Sequence, residues 1–148
     1  GLLRDIGHLV LYQTVPQRAQ SALIESGHLG TRLAEVEQTN IGCDFAEVGA
    51  ELVRFWGMPS PIEQAIRYQL HPNDAVEYQL HASIVHLAGI AADCAQFETN
   101  RTIDPPPFDP FALACTQFKV TEHQPLLNEA QQELQDTLAF ISPLATAA

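Results

Sequence analysis

Lysine is almost missing from this 148-residue chain: Lys119 is the only one, and seven Lys+Arg face eighteen Asp+Glu for a formal charge of −11. A phosphate backbone is bound by replacing its counterions with cationic side chains, so this segment is excluded as a nucleic-acid or anionic-membrane surface. No apolar run approaches the roughly 18 residues that a membrane span needs, and no basic, apolar leader opens the sequence. Paired cysteines are also missing. Cys43, Cys94 and Cys115 are odd in number and share no CxxC spacing. They read as buried thiols in a reducing compartment, the cytoplasm, rather than as a disulfide frame. What is present is ordinary for one folded domain: 46% hydrophobic residues and enough length for a core. The apolar run starting at Gly1-Leu2-Leu3 carries the expectation of a longer protein, interrupted in the middle of its fold.

The dominant period is helical. Leu2, Leu3, Ile6, Leu9 and Val10 mark a first helix that Pro16 ends, and Ala19, Ala22 and Leu23 a second that Gly27 and Gly30 stop. A short third helix, Arg32 to Thr39, carries Glu35 and Glu37. Asp44-Phe45-Ala46-Glu47 and Ser60-Pro61-Ile62-Glu63 both have capping-box spacing. The helix behind the first box runs to Gly57 with Phe45, Val48, Gly49, Leu52 and Trp56 on one apolar face, and Trp56 is read as core. The helix behind the second runs to about Leu70. Gly49, inside a helix, is expected where another helix approaches closely. The longest helix, Tyr78 to Phe97, shows Ile84, Leu87, Ala88, Ala91, Ala92 and Ala95 as its buried face. Four prolines between Asn100 and Pro110 predict an extended connector. A short helix, Phe111 to Phe118, and a last one ending near Ile141 complete the chain. No segment alternates long enough for a strand, so the fold class is all-α.

Six histidines invite a metal site, but their spacing is poor. His81 and His86 are five apart, about 140° around a helix, and cannot chelate one ion together. His71 sits at a helix end, where the C-terminal dipole favours it. His8 and Asp5 share a helical face, a weak two-residue signal. His28 and His123 read as surface residues. None of the cysteines has a basic or histidine neighbour, and no nucleophile elbow or phosphate loop appears.

The order of motifs resembles the HD-related output domain (HDOD) family of the HD superfamily. Gly1-Leu2-Leu3-Arg4-Asp5-Ile6-Gly7-His8-Leu9-Val10-Leu11 is similar to "GLLHDIGxLVL", and Ile41-Gly42-Cys43-Asp44-Phe45-Ala46-Glu47-Val48-Gly49-Ala50-Glu51-Leu52 to "LGxDHAEVGAxLL". Trp56-Gly57-Met58-Pro59 resembles "WxLP", Ala65-Ile66-Arg67-Tyr68-Gln69-Leu70-His71-Pro72 "AIxxHHxP", and Ile84-Val85-His86-Leu87-Ala88 the closing "IVxLA". The resemblance implies an HD-domain-like helical bundle with residues 1–98 as the C-terminal half of such a domain, 99–110 as a proline-rich connector and 111–148 as a helical extension.

In catalytic relatives, the resemblance implies, histidines and aspartates at these blocks hold divalent metals that activate water against a phosphoester. Here the corresponding positions are Arg4, Asp5, Phe45, Gln69, Leu70 and Gly89. One carboxylate cannot hold a dication, so the expectation is no enzyme, no metal and no cofactor. The expected role is a signalling module acting through contacts with other signalling proteins or domains. The alternative is a divergent metal-dependent phosphohydrolase using Asp5, His8 and His71. A homodimer through residues 121–142 is a third reading, against the favoured one in which that helix packs back on its own domain. Apolar residues of the first helix (Leu3, Ile6, Val10) are expected to be uncovered unless residues 98–148 or a second chain cover them.

Overall fold

The computed structural model describes residues 2–29, 33–97 and 108–122, with 125–126, 128–129 and 132–133 beyond them. Seven α-helices lie among these residues, with no strand: α1 (Ile6–Thr14), α2 (Pro16–Leu29), α3 (Leu33–Asn40), α4 (Phe45–Phe55), α5 (Ser60–Arg67), α6 (Gln79–Phe97) and α7 (Pro110–Thr116). One-turn 3₁₀ segments sit at Pro72–Asp74 and Val120–Glu122. The all-α reading holds. Most of the proline-rich connector and the last helix beyond 133 lie outside the described residues.

Helix α4 has the clearest local cause. The Asp44 carboxylate accepts from the Glu47 amide at 2.9 Å, and the Glu47 side chain accepts from the Asp44 amide at 3.3 Å. At the other end Gly57, with φ +71, closes the helix. Its amide donates to Arg54, and the Met58 amide reaches back to Val53, so the last carbonyls are satisfied by a Schellman motif. The second expected capping box does not form. Pro59 is the N-cap of α5, with no side-chain hydrogen bond, and Ser60 is the first helical residue. Glu63 turns instead to Arg67 and Gln64.

Helix α1 crosses α4 at two glycines. A Cβ on Gly7 would collide with the Phe45 carbonyl oxygen and stand 2.7 Å from the Gly49 amide nitrogen. One on Gly49 would meet Gly7 N, Ile6 Cγ2 and Ile66 Cγ2 at 3.2–3.3 Å. The close approach expected at Gly49 is therefore real, and its partner is α1. Two apolar clusters flank this crossing. Leu11, Ala19, Ala34, Phe45 and Ala46 form one, joined by half-buried Val15, Ile41, Cys43, Val48 and Leu70. Ala50, Val53 and Ile66 form the other, joined by Leu3, Ile6 and Met58. Helix α5 packs between α4 and α6, and α7 covers α6.

Several expectations are corrected here. Helix α1 starts at Ile6, after a turn through residues 2–5, and α2 continues through Gly27, because a lone glycine costs a helix about 1 kcal/mol without breaking it. Helix α5 ends at Arg67, not Leu70. Leu3 and Ile6 are covered by the second cluster and Val10 is half-buried, while Leu2 and Leu9 face outward. Trp56 is not core: it is 50% exposed and Phe55 85%, because α4 closes at Gly57 just beyond the packed stretch. The buried face of α6 is Ala82, Ser83, His86, Leu87, Gly89 and Ile90, with Ile84 and Ala88 outside. That helix is inserted by its polar residues as well as its alanines.

Charge ties α4 to α5 at the surface. The Arg67 guanidinium bridges Glu51 and Glu63, and Arg54 also pairs with Glu51. Hydrogen bonds from Arg54 and then Arg67 hold the Glu51 carboxyl below its ordinary value. A depressed carboxylate stabilises the fold above the unfolded value, and this contribution is lost as pH falls through the folded one. In an acid titration Glu51→Gln should therefore be less stable than wild type near neutrality, with the difference closing below the ordinary carboxylate range. Thermal unfolding from pH 7 to 3 measures this; a gap that widens in acid contradicts the assignment.

Candidate functional site

The turn before α1, the residues just past α5 and the buried face of α6 meet over a patch of polar side chains, and three of the six singled-out positions interlock there. The Gln69 side chain is 2% exposed; its Nε2 donates to the carbonyls of Arg4 and Ile66, each at 3.0 Å. Its backbone carbonyl accepts from His86 Nδ1 at 2.7 Å. A carbonyl can only accept, so Nδ1 carries the proton. Arg4 runs across α6: a Cβ on Gly89 would lie 2.7 Å from both Nε and Nη2 of Arg4 and 2.8 Å from Cζ. Three near-equal distances mean that the guanidinium lies face-on against Gly89, a contact only glycine leaves room for. Arg4 Nη1 also donates to Asp5 Oδ2 at 3.2 Å, toward solvent.

The remaining positions are hydrocarbon. Phe45 belongs to the first apolar cluster, and Leu70 packs against it. The Phe45 ring stacks on His8, centroids 4.2 Å apart, and His8 stacks in turn against Tyr12 at 5.7 Å. His8 Nδ1 lies 3.1 Å from Glu37 Oε1.

Glu37 is the residue that sequence reasoning missed. From the sequence it is simply an acid on a short helix, yet only 1% of it is exposed. Its second oxygen accepts the Phe45 amide at 2.9 Å, one of the free N–H groups at the start of α4. A signal was available: Ala34, Glu37 and, just past the end of α3, Ile41 follow one helical stripe, and an acid on an apolar stripe needs a buried partner. Around Glu37 the charges act as expected. The Tyr12 hydroxyl is pushed up by burial, then by Glu37 and Asp5. Burial, then Glu47, Asp44 and Glu37, push the Cys43 thiol up. That thiol is kept protonated, a poor nucleophile. Cys43 and Cys115 are half-buried free thiols rather than fully buried ones; the side chain of Cys94 lies outside the described residues.

Asp5, His8 and His71 are not brought together. Among the described residues no three His, Cys, Asp or Glu side chains converge as metal ligands. His8 is engaged by Glu37, and His71 is an exposed residue preceding the 3₁₀ turn rather than a helix-end residue of α5. His81 is exposed, edge-on to Tyr78, and His86 is buried, so they do not share a site. His28 lies within α2, and His123 is outside the described residues. Among the described residues no helix is long and apolar enough to cross a membrane.

Residues 1–72 match the family model described as the HDOD domain. No curated protein and no solved structure gives a match.

Proposed function

Residues 1–72 of this chain belong to the HDOD domain family, a signalling output domain related to the HD superfamily, and from that premise we propose that it works without catalysis, through contacts with other signalling proteins or domains. One observation carries the reading: the guanidinium of Arg4 lies flat on Gly89 while its carbonyl is clamped by Gln69. A divalent ion needs several oxygen or nitrogen donors turned toward one point. At the positions where the family's catalytic members hold metal, this chain offers one carboxylate, Asp5, already paired with Arg4. The other positions present a cation, an amide whose nitrogen faces the backbone, two hydrocarbon side chains and a glycine. This donor set does not fit a dication. The exposed Phe55 and Trp56 and the acidic surface support recognition of a protein rather than of a nucleic acid.

Equilibration of the purified chain with Mn²⁺ or Fe²⁺, followed by desalting and metal analysis, should leave far less than one ion per chain. Nucleotide phosphoesters incubated with it should remain intact. Stoichiometric retained metal with turnover would establish the phosphohydrolase alternative through Asp5, His8 and His71.

A further inference from the structure

Helix α6 is entered through a backbone conformation that bulky residues rarely adopt. Tyr78, just before it, has φ +57, in the left-handed region that glycine or asparagine fills with little strain. The ring is not drawn into the core. Tyr78 is exposed and stands edge-on to the exposed His81, centroids 5.6 Å apart. A strained backbone kept for an exposed aromatic side chain points to use of that side chain at the surface.

The surface around Tyr78 is apolar and acidic. Val76 is 90% exposed, and Leu80 and Ile84, half-exposed, lie four apart on one face of α6. The Gln79 side chain donates to the Ala75 carbonyl at 2.9 Å and so holds the Val76 loop against the first turn of that helix. Asp74 and Glu77 flank Val76, both exposed, and neither forms an ion pair among the described residues. No lysine or arginine occurs between Arg67 and Arg101, whereas Asp74, Glu77, Asp93 and Glu98 do. The helices packed on α6 bring no free cation to it. Helix α7 is uncharged, and Arg67 is held by Glu51 and Glu63. Arg4 lies on Gly89 and pairs with Asp5.

Resting on the non-catalytic reading above, we propose that Val76, Tyr78, Leu80 and Ile84, with Asp74 and Glu77, dock a cationic amphipathic segment of a partner protein. Apolar side chains of that segment cover Val76, Leu80 and Ile84. Its Lys or Arg side chains face the two carboxylates, and a guanidinium has the exposed Tyr78 ring to stack on. Other occupants fail on charge. A second copy, paired through the same patch about a twofold axis, sets like acids against each other. Nucleic acid and anionic lipid are repelled by the same carboxylates.

The probe is a fluorescent amphipathic helical peptide of leucine and lysine, about five turns long, with a counterpart carrying glutamate for every lysine. The full chain should bind the lysine peptide, more weakly as salt is added, and leave the glutamate peptide free. Leu80→Gln with Ile84→Gln should weaken binding about tenfold, while Ile24→Gln, an exposed apolar residue of α2, leaves it unchanged. Tyr78→Asn separates strain from use. Its melting temperature should hold or rise, because asparagine tolerates that φ, yet the peptide should bind less tightly. Equal binding of the two peptides, full affinity in the α6 double variant, or a Tyr78→Asn chain that melts earlier overturns the proposal. So does a dimer in sedimentation that the double variant abolishes, or binding to phosphatidylserine vesicles. Binding lost in Phe55→Gln and kept in the double variant overturns it as well, moving the contact to the end of α4. All of these leave the non-catalytic reading standing; retained metal with turnover is what ends that one.

Discussion

Gly7→Ala is expected to remove roughly 3–5 kcal/mol of stability, a large part of what a domain of this size possesses. Taken alone, glycine to alanine within a helix is favourable by about 1 kcal/mol. Here the added methyl would collide with the Phe45 carbonyl oxygen and come within 2.7 Å of the Gly49 amide nitrogen. Both obstacles are backbone. A side chain can rotate away, but a helix must be translated, and that opens both apolar clusters flanking the crossing. The cost therefore exceeds the usual 1–3 kcal/mol of overpacking. Gly42→Ala is the matched control. No heavy atom lies within 4 Å of its added methyl, but φ is +97, so only conformational strain of about 1–2 kcal/mol applies. Urea unfolding of the two variants should separate them clearly; near-equal midpoints would mean that α1 and α4 are not in backbone contact.

Glu37→Ala should cost about 3 kcal/mol. The carboxylate receives the Phe45 amide on one oxygen and meets His8 on the other, and its removal leaves buried donors without an acceptor. Each such loss is worth about 1–3 kcal/mol, and the cavity adds to it. Glu37→Gln keeps one acceptor oxygen and should lose less than half as much. A double-mutant cycle with His8→Phe isolates the pair; a coupling near zero would show that His8 contributes by stacking on Phe45 alone.

The legibility of this chain in its sequence divides along physical lines. Helix α4 was readable because its signals are local: an N-cap aspartate, a glutamate three residues on, and a glycine at the stop. The crossing partner of Gly49 was anticipated only as a helix, since nothing in the sequence says that Gly7 would face it. The alanines of α6 pointed to the wrong face. Small residues tolerate burial and exposure equally, so their pattern carries little orientation, whereas His86 is inside because the Gln69 carbonyl receives its ring N–H there. The Ser60 box failed because Pro59 supplies the helix entry and Glu63 finds a guanidinium. The six singled-out positions come from the motif resemblance alone. Their interlocking, with Arg4 on Gly89 and Gln69 on the Arg4 carbonyl, depends on pairings 65 and more residues apart in the chain.

The glycine crossing also constrains how a message can pass through the domain. Most helix pairs slide by repacking side chains, which act as a compliant layer between them. Where backbone meets backbone that layer is gone, so α1 and α4 travel together as struts welded at one point. A bound partner that tilts the exposed end of α4, at Phe55 and Trp56, would swing the opposite strut with it, and the displacement would be felt at the turn that carries Arg4.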